Sequence, residues 1–409
     1  MSGLLYADVT QSWSEKGGGI RVYLNRKRRF ILERTQDRHL LVIPGKRDEV
    51  VEEARAITVT LRSPKVPGSP NYRLLLRNSA VREALRRFRP DLIECQDAYN
   101  LPWAVLRYRR DHPECALVAS FMTDFPTAYT KRIGDGLAGD RFGSAAARVA
   151  YRYLAGLYRR FDAVIALSEH GGANKLRSIG VDRVFVAPLG VDVEEFREAR
   201  RDEGLRAEAG CVGDSPLLIY VGRLDGEKRA TTVVEAFGQL PAQLGAKLVL
   251  VGEGPLRERF AAEPGVHCEG FIRDRGLLAR WLTSADLYVS GMADETFGIS
   301  VIEAQAAGLP VVGVAAGAML DRVPAGLGLL GPVDDAEVMT ANIVALLADP
   351  GRAAMRRAAR EHAATLSWDK AMERLFDAVY PVAMEARRDS FNGGSVPKSP
   401  DAARKFQQG

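Results

Sequence analysis

The amino-acid sequence predicts an α/β protein made of two doubly wound, Rossmann-like domains that face each other across a cleft. Three observations lead there. Short apolar runs alternate with helix-period segments, the pattern of parallel sheets covered by helices. The rhythm restarts near residue 217, after a charged and weakly patterned stretch. And 409 residues exceed what one hydrophobic core ordinarily organises.

In the first half, strands are expected at Leu4–Val9, His39–Ile43, Asp91–Cys95, Ala116–Phe121, Ala163–Leu167 and Arg183–Val186. Helical patterns fall between them, for example Ile20–Glu33, Leu74–Phe88 and Ala145–Tyr158. In the second half the strands are Leu217–Val221, Lys247–Val251, Val266–Phe271, Leu287–Ser290 and Pro310–Val314. Runs such as Leu248-Val-Leu-Val251 fit strands buried on both faces. The break lies around Pro188–Asp214, which gives domains at 1–188 and 189–368. Residues 369–387 are expected to form a helix returning toward the first domain. Residues 388–409, rich in Ser, Pro, Gly, Lys and Gln, are expected to be a disordered tail.

Composition narrows the classes. No apolar run approaches the roughly 20 residues of a spanning helix, and the N-terminus lacks a signal-peptide pattern, so a cytoplasmic protein is expected. Cys95, Cys115, Cys211 and Cys268 are scattered without a C-x-x-C pair, and no histidine has a companion at i+3 or i+4; neither a metal nor a cofactor is expected. Charge is uneven: residues 1–200 hold 34 Lys/Arg against 24 Asp/Glu, a balance of +10, and the rest hold 23 against 28, a balance of −5. No nucleic-acid module accompanies the basic clusters. Docking on an anionic membrane face is one reading of the asymmetry, and high arginine usage is the other.

The most informative stretch runs from Glu295 to Val312. Glu295 and Glu303 flank a Gly298 turn that opens a helix. Glu295 can accept hydrogen bonds from sugar hydroxyls. The free N–H groups near Ile299 and Ser300 can hold a phosphate at the positive end of the helix. Glu303, roughly 6 Å further along at about 1.5 Å per residue, can chelate a ribose diol. Two solvated glutamates on an ordinary amphipathic helix would have the same spacing.

The loops after the other strands carry further candidates, since ligands of such sheets bind beyond the carboxyl ends of the strands. Gly222 and Arg223 with Lys228 place two cations on a glycine-bearing turn, suited to a diphosphate leaving group. Gly252-Glu-Gly254-Pro255 is a tight turn that can bring backbone close to a ligand. Phe271 and Ile272 can wall a nucleobase, or Phe271 can belong to the core. In the first domain Gly17-Gly18-Gly19 opens the first helix, where an anion could approach. Thr123 and Asp124 follow the Ala116–Phe121 strand into the cleft, although Asp124 also fits a helix cap.

Together these residues resemble the retaining, two-domain GT-B glycosyltransferases of the E-x7-E group, similar to glycosyltransferase family 4. The resemblance rests on Gly17-Gly-Gly-Ile20, Thr123-Asp-Phe-Pro126, Ala187-Pro-Leu-Gly-Val-Asp192, Tyr220-Val-Gly-Arg-Leu224 with Lys228, Leu250-Val-Gly-Glu-Gly-Pro255 and Glu295 to Gly308. It implies a UDP- or GDP-linked hexose donor and metal-independent transfer with retained configuration. It assigns Arg223 and Lys228 to the diphosphate, the Ile299 and Ser300 amides to phosphate, Glu303 to ribose and Glu295 to the donor sugar. Gly18 or Gly19 would close over the diphosphate. The nearest motifs are those of sulfolipid synthases and lipid mannosyltransferases, so the acceptor implied is a lipid and the enzyme peripheral to an anionic membrane. Arg26, Lys27, Arg28 and Arg29, on the helix after the glycine loop and followed by Phe30, are the expected membrane-facing cations. A soluble acceptor, or a non-catalytic sugar-nucleotide-binding protein, are the competing readings. Two positions depart from the family pattern. Met122 replaces a histidine, which puts Asp124 forward as its substitute, and Ala316-Gly317-Ala318 with Asp321 replaces a Gly-Gly-Glu segment.

Overall fold

A computed structural model describes residues 3–14, 18–67 and 69–391. Residues up to Pro188, together with those from Asp369 onward, form one unit; Leu189–Trp368 form the other.

The first unit contains strands β1 (Leu5–Val9), β2 (Arg38–Gly45), β3 (Glu49–Glu53), β4 (Ala56–Arg62), β5 (Lys65–Val66), β6 (Ser69–Arg73), β7 (Leu92–Cys95), β8 (Ala116–Phe121), β9 (Ala163–Ala166) and β10 (Val184–Val186). Eight of these make one sheet in the order β10-β9-β8-β7-β1-β2-β4-β3, and β5 pairs with β6 separately. Within the large sheet every pairing is parallel except β3 with β4. The strand order reverses between β1 and β7, so the carboxyl ends of those strands flank the switch-point crevice.

The inner strands β1, β7, β8 and β9 are buried at every residue; they are mostly apolar, with Asp8, Glu94 and Ser120 as the buried polar exceptions. The edge strand β3 is exposed throughout, and its three glutamates discourage further strand addition. Those glutamates also hid it from an apolar-run reading. β4 alternates Ile57, Val59 and Leu61 with Thr58 and Thr60, a half-buried pattern that reading passed over. The expected Leu74–Phe88 helix starts later, at Asn78, and the Ala145–Tyr158 helix starts earlier, at Asp140.

The second unit contains β11 (Leu217–Val221), β12 (Lys247–Val251), β13 (Val266–Gly270), β14 (Leu287–Val289), β15 (Val311–Val314) and β16 (Gly328–Gly331). Its sheet runs β13-β12-β11-β14-β15-β16, parallel throughout, with the reversal between β11 and β14. β16, unexpected from sequence, is a short Gly-Leu-Leu-Gly edge strand with little apolar signal. The architecture is thus two Rossmann-like α/β units.

The C-terminal helix Tyr380–Phe391 belongs to the first unit. Ala383 and Ala386 are buried, and Arg387 donates to Pro113 O. These contacts carry the helix past Arg388, where a disordered tail was expected to begin; residues 392–409 lie outside the described residues.

The same unit holds a buried charge network. Lys27, on the Gly19–Arg34 helix, is 1% exposed and donates to Asp8 Oδ1 and Glu94 Oε2, each at 2.7 Å. Glu94 also accepts from Ser120 Oγ (2.6 Å), Tyr23 OH (3.0 Å) and Tyr380 OH (2.5 Å). Arg28 Nε donates to His39 Nδ1 at 2.9 Å, which leaves His39 Nε2–H to donate to Asp8 Oδ2 at 2.8 Å. Burial holds the His39 pKa below its usual value. Burial would raise the Asp8 pKa, but the Lys27 charge and the His39 bond outweigh it and bring it down to about 2.

This network corrects the expectation that Lys27 and Arg28 belong to a membrane-facing Arg26–Arg29 cluster. Lys27 shares the inward face of its helix with Tyr23, Leu24 and Ile31. Arg28 is tied to Thr58 and the Ile57 carbonyl, Phe30 packs on Phe376, and Arg29 pairs with Glu33.

Candidate active site

At the switch point of the second unit, the loops after β11 and β14 bring opposite charges together. Lys228 Nζ lies 3.3 Å from Glu295 Oε2, across 67 positions of sequence, with both side chains about three-quarters buried. Asp225 Oδ1 accepts from the Lys228 N–H at 2.9 Å and fixes the loop. Arg223, on the same loop, is half exposed; its guanidinium pairs with Asp225 at 2.8 Å and Glu227 at 2.7 Å. An incoming anion would exchange with those carboxylates.

Behind Glu295, Gly298 in a left-handed conformation caps the Ile299–Ala306 helix. The first helical hydrogen bonds are donated by Val301 and Ile302 to Gly298 O, so the Ile299 and Ser300 amides precede the ladder. Tyr288 OH donates to Ser300 Oγ at 2.8 Å and anchors this turn to β14. Arg322, buried, donates to Phe297 O at 2.8 Å and covers the Phe297 ring at 4.8 Å, holding the loop from its other side.

Within the Ala316-Gly317-Ala318 segment, Gly317 is the residue that the Glu295 loop requires. A Cβ there would stand 2.5 Å from Ala293 O and 2.9 Å from Glu295 O, so only glycine lets this turn lie against the Glu295 backbone. The Ala318 N–H donates to Glu295 O at 2.8 Å.

Glu303 is almost fully buried, and Arg275 donates to its Oε1 at 2.5 Å. Burial raises the Glu303 pKa and the Arg275 charge opposes that rise. A ribose diol would therefore compete with Arg275 for this carboxylate. Arg275 sits on the Arg275–Ser284 helix, stacks over Phe196 and lies 3.7 Å from Glu195. Neither Arg275, Arg322 nor Tyr288 carries a sequence signal: each acts through a residue far along the chain.

The Gly252–Gly254 turn packs against the loop after β11. Its glycines meet the neighbouring loop, not open space: a Cβ on Gly252 would stand 1.9 Å from Gly222 O, and one on Gly254 2.2 Å from Leu224 O. They lock the β11 and β12 loops together. Phe271 is 69% exposed and Ile272 partly so, past the end of β13, which excludes Phe271 from the core.

In the first unit Gly18 and Gly19 are exposed at the start of the Gly19–Arg34 helix, and Gly17 lies outside the described residues. Asp124 is buried, accepting from Tyr151 OH at 2.7 Å and Lys175 Nζ at 2.7 Å, and Met122 is buried beside it in sequence. Asp124 thus ties together the segments around it. A group the sequence reading missed lies after β1 and β7: Asp97 accepts from Gln11 N (2.8 Å) and Ser12 Oγ (2.9 Å), and burial pushes its pKa up to about 6. Of the possible metal ligands, Glu208, His267 and Glu269 form a cluster among the described residues, with His267 3.1 Å from Glu269. His267 and Glu269 stand at i and i+2 of β13, on the same face of the strand.

Two Rossmann-like units, the second with cations, carboxylates and a helix N-terminus at its switch point, have the architecture of the GT-B glycosyltransferase class. Residues 17–195 match the model described as Glycosyltransferase Family 4, and residues 215–349 match Glycosyl transferases group 1. A GDP-mannose-dependent alpha-mannosyltransferase of Mycolicibacterium smegmatis is 32% identical over 287 residues, covering 69% of this chain and 72% of that one. A GDP-mannose-dependent alpha-(1-6)-phosphatidylinositol dimannoside mannosyltransferase of Mycobacterium tuberculosis is 28% identical over 387 residues, covering 93% and 97%. The solved sucrose-phosphate synthase of Thermosynechococcus elongatus superposes with a TM-score of 0.70 at 20% identity, over 96% of this chain and 100% of that one. The chain belongs to glycosyltransferase family 4.

Proposed function

We propose that this chain is a retaining, metal-independent hexosyltransferase that moves mannose from GDP-mannose to a membrane lipid bearing a free hydroxyl. The observation that carries the reading is the assembly of Arg223, Lys228, Glu295 and the Ile299–Ser300 turn around one switch point. The named relatives favour GDP-mannose and an inositol lipid over other donors and acceptors.

In this reading Arg223 and Lys228 neutralise the diphosphate as it leaves, the work that a divalent ion performs elsewhere. The Ile299 and Ser300 amides bind a phosphate oxygen at the helix N-terminus. Glu303 accepts from the ribose hydroxyls once Arg275 has turned aside, and Glu295 accepts from donor-sugar hydroxyls. Phe271 stacks against the base. The C1–O bond to the diphosphate breaks, the acceptor oxygen joins C1 on the same face, and the acceptor proton passes to the departing phosphate oxygen.

A thermal-shift panel with GDP, UDP, ADP and dTDP, with and without magnesium, is the first test. A ligand that binds only the folded state adds about 2.7 kcal/mol at a hundredfold excess over its Kd. A GDP-selective, magnesium-independent shift is expected, followed by transfer to a phosphatidylinositol-type acceptor with an α-configured product by NMR. A β-configured product would refute retention. No shift with any nucleotide would refute the donor site.

A further inference from the structure

The Pro126–Ala138 helical segment, which opens with one turn of π-helix, and the Asp140–Tyr158 helix form a hairpin turned at Gly139. Tyr129, Ile133 and Leu137, spaced four apart on the first arm, are 60%, 62% and 77% exposed. Phe142 and Val149, seven apart on the second, are 52% and 64% exposed. Among the described residues, these five account for most of the large apolar side chains that are more than half exposed.

The two arms touch at glycines. A Cβ on Gly134 would stand 2.6 Å from Gly143 Cα and 3.5 Å from the Phe142 ring. Phe142 therefore lies beside the arm that carries Ile133, and the apolar residues form one surface, not scattered points. Isolated exposed apolar residues need no explanation, but a grouped set marks an interaction site.

Charge selects the partner. Arg141, Arg148 and Arg152 recur at i, i+7 and i+11 along the second arm, beside Phe142 and Val149. All three are exposed, with no carboxylate partner among the described residues. The nearby acids, Asp135 and Asp140, are already held by Lys131 at 2.8 and 2.5 Å. An apolar strip bordered by unpaired arginines matches a surface with an anionic face above hydrocarbon. A protein partner would be expected to offset those arginines with acids of its own, whereas a lipid surface supplies both properties at once.

We infer that the 126–152 hairpin, and not the Arg26–Arg29 helix, is the surface by which the enzyme docks on anionic lipid. This rests on the lipid-acceptor reading and gives it a location. The hairpin leads directly from the loop after β8 and is pinned there: Tyr151 OH donates to Asp124 and lies 2.8 Å from Thr127 Oγ1. Docking thus places the bilayer beside the carboxyl ends of the first unit's strands, where the acceptor reading places the lipid headgroup.

The test is sedimentation of the full chain with vesicles of phosphatidylcholine alone or with 30 mol% phosphatidylglycerol (roughly the charge density of an anionic membrane), at low and high salt. The wild type should pellet only with the anionic vesicles. I133S/L137S/F142S should lose that binding. R141Q/R148Q/R152Q should weaken it roughly a hundredfold, at about fivefold per cation near such a surface, and flatten its salt dependence. Both variants alter exposed side chains, and an unchanged GDP-induced thermal shift confirms their folding. Vesicle binding that survives both sets of substitutions overturns the inference, as does self-association in sedimentation velocity that replaces vesicle binding. Nucleotide binding without vesicle binding refutes the docking surface and leaves the transferase reading intact. The reverse pattern refutes the transferase reading alone.

Discussion

Replacing Lys27 by methionine should cost the first unit about 3–5 kcal/mol, the usual penalty for breaking a buried ion pair on one side. The magnitude follows from the contacts. Lys27 makes two charge-assisted hydrogen bonds of 2.7 Å with almost no access to water. Bonds to charged groups contribute about 1.5–3 kcal/mol each, part of which is offset by the lysine's own desolvation. Methionine fills the space but leaves Asp8 and Glu94 buried with their principal counter-charge removed. At about 2–4 °C per kcal/mol for a unit of 150–250 residues, its melting should fall by roughly 6–20 °C. Because the chain has two units, a single global transition is the wrong observable. Hydrogen exchange read by mass spectrometry should instead show lost protection in β1, β7 and the Gly19–Arg34 helix, with β11–β16 unchanged. The triple variant D8N/K27M/E94Q, which removes the orphaned charges as well, should recover most of the loss. A single-variant cost below about 1 kcal/mol, or no recovery in the triple, would refute the charge-network argument.

Four further outcomes are expected. The first unit should lose stability as pH falls from about 4 to about 2: Asp8 is depressed in the folded state, so its contribution is present above the unfolded carboxylate pKa and is lost as it protonates. Intrinsic fluorescence against pH, with D8N as control, checks this. R223A and K228A should each slow transfer by about 10²–10³-fold, the scale of one preorganised charge-stabilising contact, in single-turnover assays; wild-type turnover in either would remove that residue from the mechanism. E303Q should reduce GDP affinity at least tenfold by calorimetry without lowering the melting temperature at pH 8. Its sign follows from a raised folded pKa, which makes the ionised carboxylate a stability cost once the pH exceeds the unfolded carboxylate pKa; a large drop in melting would show the Arg275 pair to be structural. G317A should cost about 1–3 kcal/mol, the scale of overpacking, and depress kcat, because its Cβ meets the Glu295 backbone. Normal kinetics would sink that account.

Runs such as Leu217–Val221 and Leu248–Val251 were legible because strands buried on both faces are near-continuously apolar. The β3 and β16 edges were not, since exposed glutamates and terminal glycines erase the apolar signal. In the site, residues at strand ends could be placed from sequence because doubly wound topology dictates where ligands bind. Their partners could not: Arg275 reaches Glu303 across 28 positions, and Lys228 reaches Glu295 across 67. The Arg26–Arg29 cluster misled for a related reason. Four successive basic residues span a full turn of helix, so one of them necessarily faced inward, and Lys27 found two buried carboxylates there.

The Tyr380–Glu94 hydrogen bond bears on how the chain is made. Its partners are separated by 286 positions, so at roughly 5–20 residues per second a ribosome needs on the order of 15–60 s to supply the second after the first. Throughout that interval Glu94 lacks the Tyr380 hydroxyl, and the uninterrupted Leu189–Trp368 unit is synthesised in full before the interval ends. The unit that begins first is thereby completed last. A nascent chain stalled or truncated before residue 380 would expose an unfinished first unit to proteases and chaperones after every residue of the second unit has been made.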